Sequence, residues 1–238
     1  MVIRDVQDVA AVWRNTMDLS FDPFVKAVMH AFGISPTSLD LVFADPQIAI
    51  SDQGKRDKSL LIMENPQRKC YMNLERDWFK TQLLAPERLQ RLQDSYTIFL
   101  KDCLSWENLS QTYIVPSQAG TGCKTISLKL FARHTVSYCG TSTFFGNKLL
   151  QVDPGFLRNY QEFEEGSWKI FYRLPMFLAR SSHAAKARAI AGLERYLSLP
   201  AQERSELSWL FQTMNAELHH LSVPPRDVAG IVMIIIWA

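Results

Sequence analysis

Apolar positions along this chain recur every three or four residues and almost never alternate with polar ones, so the predicted elements are helices. Val6, Val9, Ala10 and Trp13 mark a first helix over 6–13 that Asp5 can cap. Phe21, Phe24, Val28 and Phe32 share one side of a second, over 19–32, closed by Gly33 and Pro36. A helical turn over 38–43 precedes Pro46, and 48–58 reads as a polar, basic loop. Over 70–84, Leu74, Trp78 and Leu84 face inward; Pro86 then opens another helix at its first turn, where a missing N–H is harmless. Leu89, Leu92, Tyr96, Phe99, Cys103 and Trp106 form its stripe.

The stretch 116–122 is the best loop candidate, and 125–138 is a buried helix ending around Gly140. Pro154 starts a helix with Phe156, Leu157, Tyr160 and Phe163 inward, joined past Gly166 by Trp168 and Phe171. A helix over 184–197 carries Ile190, Leu193 and Leu197, and 207–221 is a further amphipathic helix. The last segment starts at Pro224-Pro225, with Ser222 as its cap and Asp227 suited to the helix dipole. It runs into an uninterrupted apolar octet, Ile231 to Ala238, with no stop signal. The reading is an all-α chain without internal repeats. The octet needs a covering surface, so 1–238 is expected to be one partial domain of a longer fold.

Composition narrows the function classes. Hydrophobic residues at 47% and charged residues at 21% indicate a globular chain. A net charge of +2 gives no basic face for nucleic acid. The longest apolar run is far short of the roughly 20 residues that span a bilayer, so no membrane anchor is expected in this chain. Cys70, Cys103, Cys123 and Cys139 form no CxxC pair and read as buried or free thiols in a reducing compartment, and the chain as given is expected to be cytoplasmic. Asn108-Leu109-Ser110 is a glycosylation sequon with no leader before it, and is read as chance.

Candidate chemistry is sparse. Ala119 to Thr125 falls short of a phosphate loop, because Gln118 and Cys123 stand where it needs glycines. Glu217, His219 and His220 are metal-ligating types, but neighbouring positions on a helix point to different faces, and a solvated helix end accounts for them. His134 reads as a core histidine. Arg173, Arg180, Lys186, Arg188 and Arg195 read as a solvated face, with a membrane- or partner-facing surface as the alternative. There is no GxSxG elbow and no DDxxD cluster.

Extended stretches carry a resemblance: Asp8 to Thr16, Leu19 to Phe24, Phe144-Phe145-Gly146-Asn147-Lys148-Leu149-Leu150, Asp153-Pro154, Trp168, Arg173-Leu174-Pro175-Met176-Phe177-Leu178-Ala179, and Arg226-Asp227-Val228-Ala229 through Trp237-Ala238. In these the chain resembles the N-terminal half of a cytochrome P450 of fungal secondary metabolism. The resemblance implies a partial P450 fold from helix B over 6–13 to the start of helix I at the apolar octet. Helices C, D, E, F, G and H would correspond to 70–84, 86–106, 125–138, 154–171, 184–197 and 207–221, with 19–43 in the B–C region.

A full-length member is a haem-thiolate monooxygenase that oxidises a hydrophobic small-molecule substrate. It takes electrons from NADPH–P450 reductase on the cytosolic face of the endoplasmic reticulum membrane. The resemblance implies Phe32, Phe43, Met176, Ile231 and Ile235 as substrate-pocket residues, and Arg76 or Lys80 as partners of a haem propionate. Neither the FxxGxxxCxG loop nor the ExxR pair occurs, and Gln82 stands where the WxxxR spacing from Trp78 would place arginine. The thiolate pushes electron density onto iron. The chain is therefore expected to be inactive alone, the alternative being a non-catalytic helical module that binds a hydrophobic ligand or partner.

Overall fold

The structure, a computed structural model, describes residues 21–44, 69–109, 114–115 and 124–237. The helix expected over 6–13, the loops over 48–58 and 116–122, Cys123 and Ala238 lie outside them. The described chain is all-α apart from one two-stranded pairing.

Helix α1 (Asp22–Ala31) has Asp22 and Pro23 in its first turn, where a carboxylate suits the dipole and a missing N–H is harmless. It ends because Gly33 adopts a φ of 97°, and the Gly33 and Ile34 amides return to His30 O and Met29 O. Helix α2 (Pro36–Phe43) is capped by Ser35, whose Oγ accepts from the Ser38 amide at 3.2 Å. Ala85 separates α3 (Tyr71–Leu84) from α4 (Pro86–Leu104), since the residue before a proline is pushed to extended backbone. Strands β1 (Ile114–Val115) and β2 (Thr125–Ile126) pair antiparallel.

Helix α5 (Leu128–Phe145) follows, capped by Ser127. Then come α6 (Lys148–Val152), α7 (Phe156–Phe171), α8 (Met176–Leu197), a 3₁₀ turn at Ala201–Arg204, α9 (Trp209–His220) and α10 (Pro225–Trp237). The ends of α7 and α9 repeat the hydrogen-bond pattern of α1, with Arg173 at φ 52° and Ser222 at φ 60° in place of glycine. Ser222 therefore terminates α9 and does not cap α10.

Among the helix bounds that differ from the sequence reading are those of α4, α5 and α8. Helix α5 starts later than expected, because Thr125 and Ile126 pair with β1, and it runs past Gly140 to Gly146, where φ reaches 68°. Helix α8 begins at Met176, eight residues before the expected start. Helix α4 ends at Leu104, leaving Trp106 beyond it and exposed. Inward faces shift too. Phe21, Phe24, Leu84 and Trp168 are exposed, while Met29 and Ile170 are buried in their vicinity.

The most extensive helix pair is α7 on α8. Their axes approach closely because Gly166 faces Ser182, and a Cβ added at 166 would collide with the Ser182 hydroxyl. Helix α8 packs in turn on α10, α9 on both α3 and α10, and α4 on α5. Tyr196 Oη donates to Phe145 O at 2.6 Å, tying α8 to the end of α5. Helix α10 runs through the middle, with every residue from Asp227 to Met233 buried. Part of the octet expected to lack cover is thus shielded: Ile231, Val232 and Met233 are buried, and residues 234–237 are half-covered. Trp237 lies 4.9 Å from the Phe32 ring, and Tyr160 Oη donates to Ile236 O at 3.1 Å. Among the described residues no helix is long and apolar enough to cross a membrane.

Candidate functional site

Five helices leave a cavity of about 220 Å³ beside the second half of α10. Phe79 comes from α3, Phe144 from α5, Tyr160 from α7, Phe211 from α9, and Ile235 and Ile236 from α10. Phe144 and Phe211 meet edge to face at 5.5 Å, an arrangement that fixes both rings as walls. Ser137 Oγ donates to Arg133 O of its own helix at 2.8 Å, leaving Glu164 as the charged group on the lining. The arrangement suits a small apolar molecule or the apolar end of a larger one.

The expected pocket residues divide. Ile235 lines the cavity, and Ile231 is buried one turn earlier on the same helix. Phe32 is buried beside the end of α10, edge to face with Phe163 at 5.7 Å. Phe43, at the end of α2, lies under Lys26 with Nζ 4.7 Å from its ring centre, and does not line the cavity. Met176 is 60% exposed next to exposed Phe177 and Leu178, because α8 already starts there and carries these side chains outward.

Arg76 and Lys80 occupy an exposed face of α3, whereas Tyr71, Leu74 and Trp78 form its buried face. A haem finds a poor fit among the described residues. Those two cations are turned to solvent, and Cys103 and Cys139 lie Sγ to Sγ at 4.0 Å in the α4–α5 contact. Burial raises both thiols, Cys139 to about 12, which opposes the thiolate that iron requires.

Two polar side chains have roles that apolar periodicity did not reveal. Lys186, expected on a solvated face, is buried, and its Nζ donates to Phe32 O at 2.6 Å. Burial, then nearby Arg226, lowers it to about 8. A lysine among Ala185, Ala189 and Ile190 on one helix is the sequence signal for such a tether. Asp227, expected only to complement a dipole, accepts from Ser35 Oγ at 2.5 Å and Ser38 Oγ at 2.6 Å, joining α10 to α2. Glu217 and His220 are buried while His219 is exposed, so only His219 matches the solvated end that was expected. Among the described residues no group of three or more metal-ligating side chains forms. His134 is half-buried and stacked on Tyr138 at 6.1 Å.

Burial lifts the Glu75 carboxyl on α3 to about 7, against a smaller opposing pull from Arg76. Between its ordinary value of 4.5 and 7 the folded state keeps a proton that the unfolded chain has released. Its contribution is therefore complete below pH 4.5 and is lost as pH rises through 7. His134 and His183, lowered chiefly by burial, act in the opposite sense. The difference between parent and Glu75→Gln melting temperatures isolates the carboxyl. The advantage of the parent is expected to shrink steadily across this range, and parallel curves would refute the assignment.

In comparisons with known proteins, the chain matches no protein-family model, no curated protein and no solved structure.

Proposed function

We propose that this chain is the substrate-side helical portion of a cytochrome P450-type monooxygenase, holding a hydrophobic small molecule against α10 without oxidising it by itself. The observation that carries this reading is the placement of α10. The apolar segment that resembles the start of the haem-crossing helix lies in the middle of the helices, with an apolar cavity against Ile235 and Ile236. The order of α3, α4, α5, α7, α8, α9 and α10 supports it, since these follow the C-to-I succession the resemblance implies. Within the proposal, oxidation of a secondary metabolite, NADPH–P450 reductase and the endoplasmic reticulum membrane belong to the complete enzyme class. The second reading, a non-catalytic module for an apolar ligand, is favoured by the outward-facing Arg76 and Lys80 and the thiols held protonated.

Two measurements test the pair. Naphthalene titrated against tryptophan fluorescence is expected to bind saturably, and Ile235→Trp, which fills the cavity, to weaken binding at least tenfold. Equal affinity in the variant removes the cavity from the account. With added haem, the reduced carbon monoxide difference spectrum should show no thiolate Soret band. Such a band would overturn the claim that the chain alone is not an oxygenase.

A further inference from the structure

A second cleft, of about 540 Å³, lies between the start of α4 and the start of α9. Its lining is polar: Gln82, Arg88, Arg91, Thr143 and Ser208 face it, with the carboxylates of Glu87 and Glu206 on exposed side chains. Four of its residues carry a buried polar atom that has no hydrogen-bond partner: Gln82 Oε1, Arg88 Nη1, Thr143 Oγ1 and Ser208 Oγ. Gln82 and Thr143 are more than nine-tenths buried. Leaving such atoms unsatisfied is costly in an interior, and a guanidinium is the costliest of them. Three of the four, Arg88 Nη1, Thr143 Oγ1 and Ser208 Oγ, can donate, and their presence around one cleft points to an acceptor that completes them, whereas Gln82 Oε1 only accepts.

The chemistry of the lining selects the occupant. Arg88 sits over the Trp209 ring, its Cζ 3.6 Å from the ring centre, a contact that holds the guanidinium at the cleft. Ser208 precedes α9 and makes no cap with its side chain, which leaves the amides of the first turn and a free hydroxyl at the cleft. Donors at a helix N-terminus beside a planar guanidinium match a carboxylate in both charge and shape. Glu206 Oε2 already accepts from the Asn147 amide at 3.0 Å, and Glu87 with Arg91 leaves little excess positive charge. That balance suits a monoanion better than a doubly charged phosphate.

We propose that the cleft between α4 and α9 binds the carboxylate of a small polar molecule, through Arg88, Ser208 and the first turn of α9. This site is separate from the apolar cavity beside α10 and does not depend on the P450-type reading. The test uses the 238-residue chain. Sodium acetate and sodium benzoate are titrated at constant ionic strength against sodium chloride, following the Trp209 indole resonance by NMR. Both carboxylates should shift it saturably and chloride should not. Arg88→Met should weaken binding at least tenfold, and Ser208→Ala about threefold, with circular dichroism checking that each variant is folded. If Arg88→Met does not fold, Ser208→Ala decides. Unchanged affinity in the folded variants, a shift equal to that of chloride, or tighter binding of inorganic phosphate each overturns the proposal and leaves the cleft to water.

Discussion

Phe163→Ala is expected to remove about 3–5 kcal/mol of stability, the range found when a fully buried aromatic is cut back to alanine. Phe163 has no exposed surface and stands edge to face with Phe32 at 5.7 Å, with Trp237 at 6.5 Å. It therefore joins α7 to both α1 and the end of α10. The gap left by the ring cannot readily close, because α7 is already in tight contact with α8 at Gly166 and Ser182. For a chain of this size the loss corresponds to a melting temperature lower by roughly 10 °C. Phe24→Ala, at a half-exposed ring, is the control and should change stability by less than about 1 kcal/mol. Urea unfolding followed by circular dichroism measures both. A loss at Phe163 no larger than at Phe24 would mean that α10 does not rest on α7 as described.

Asp227→Ala carries the second large effect. One carboxylate oxygen takes the hydroxyls of Ser35 and Ser38, and Ser38 is completely buried. Hydrogen bonds to a charged group are worth about 1.5–3 kcal/mol each, and two sharing one oxygen are not additive, so the expected loss is about 3 kcal/mol. Asp227→Asn keeps an acceptor of the same shape and should lose roughly half as much. If alanine and asparagine are equally damaging, charge at the start of α10 is the cause, and the bridge to α2 is not.

These effects also show what was legible in the sequence. Helix existence followed from large apolar residues at three- and four-residue steps, as in α7 and α9. The first two turns of α8 did not, because its inward residues there are Ala179, Ser182 and Ala185, which a search for bulky apolar positions passes over. Small residues are what the close approach to Gly166 demands. Gly140 looked like the end of α5, but it lies within the helix, and a Cβ there would meet nothing within 4 Å. Gly146, with its positive φ, is the real stop. In the candidate site, Ile231 and Ile235 were readable because they belong to one strongly apolar run. Lys186 and Asp227 were not, since their partners lie 154 and 189 positions away along the chain.

The Gly166–Ser182 approach also determines which parts of the molecule can yield. At that point the two helices meet backbone to side chain, and they slide or separate only by breaking the contact outright. Of the two, α7 supplies Tyr160 and Glu164 to the lining of the apolar cavity, so that wall is the stiff one. Room for a bulkier guest must come from the opposite side, through a rotamer change of Phe79 and bending of the half-covered end of α10.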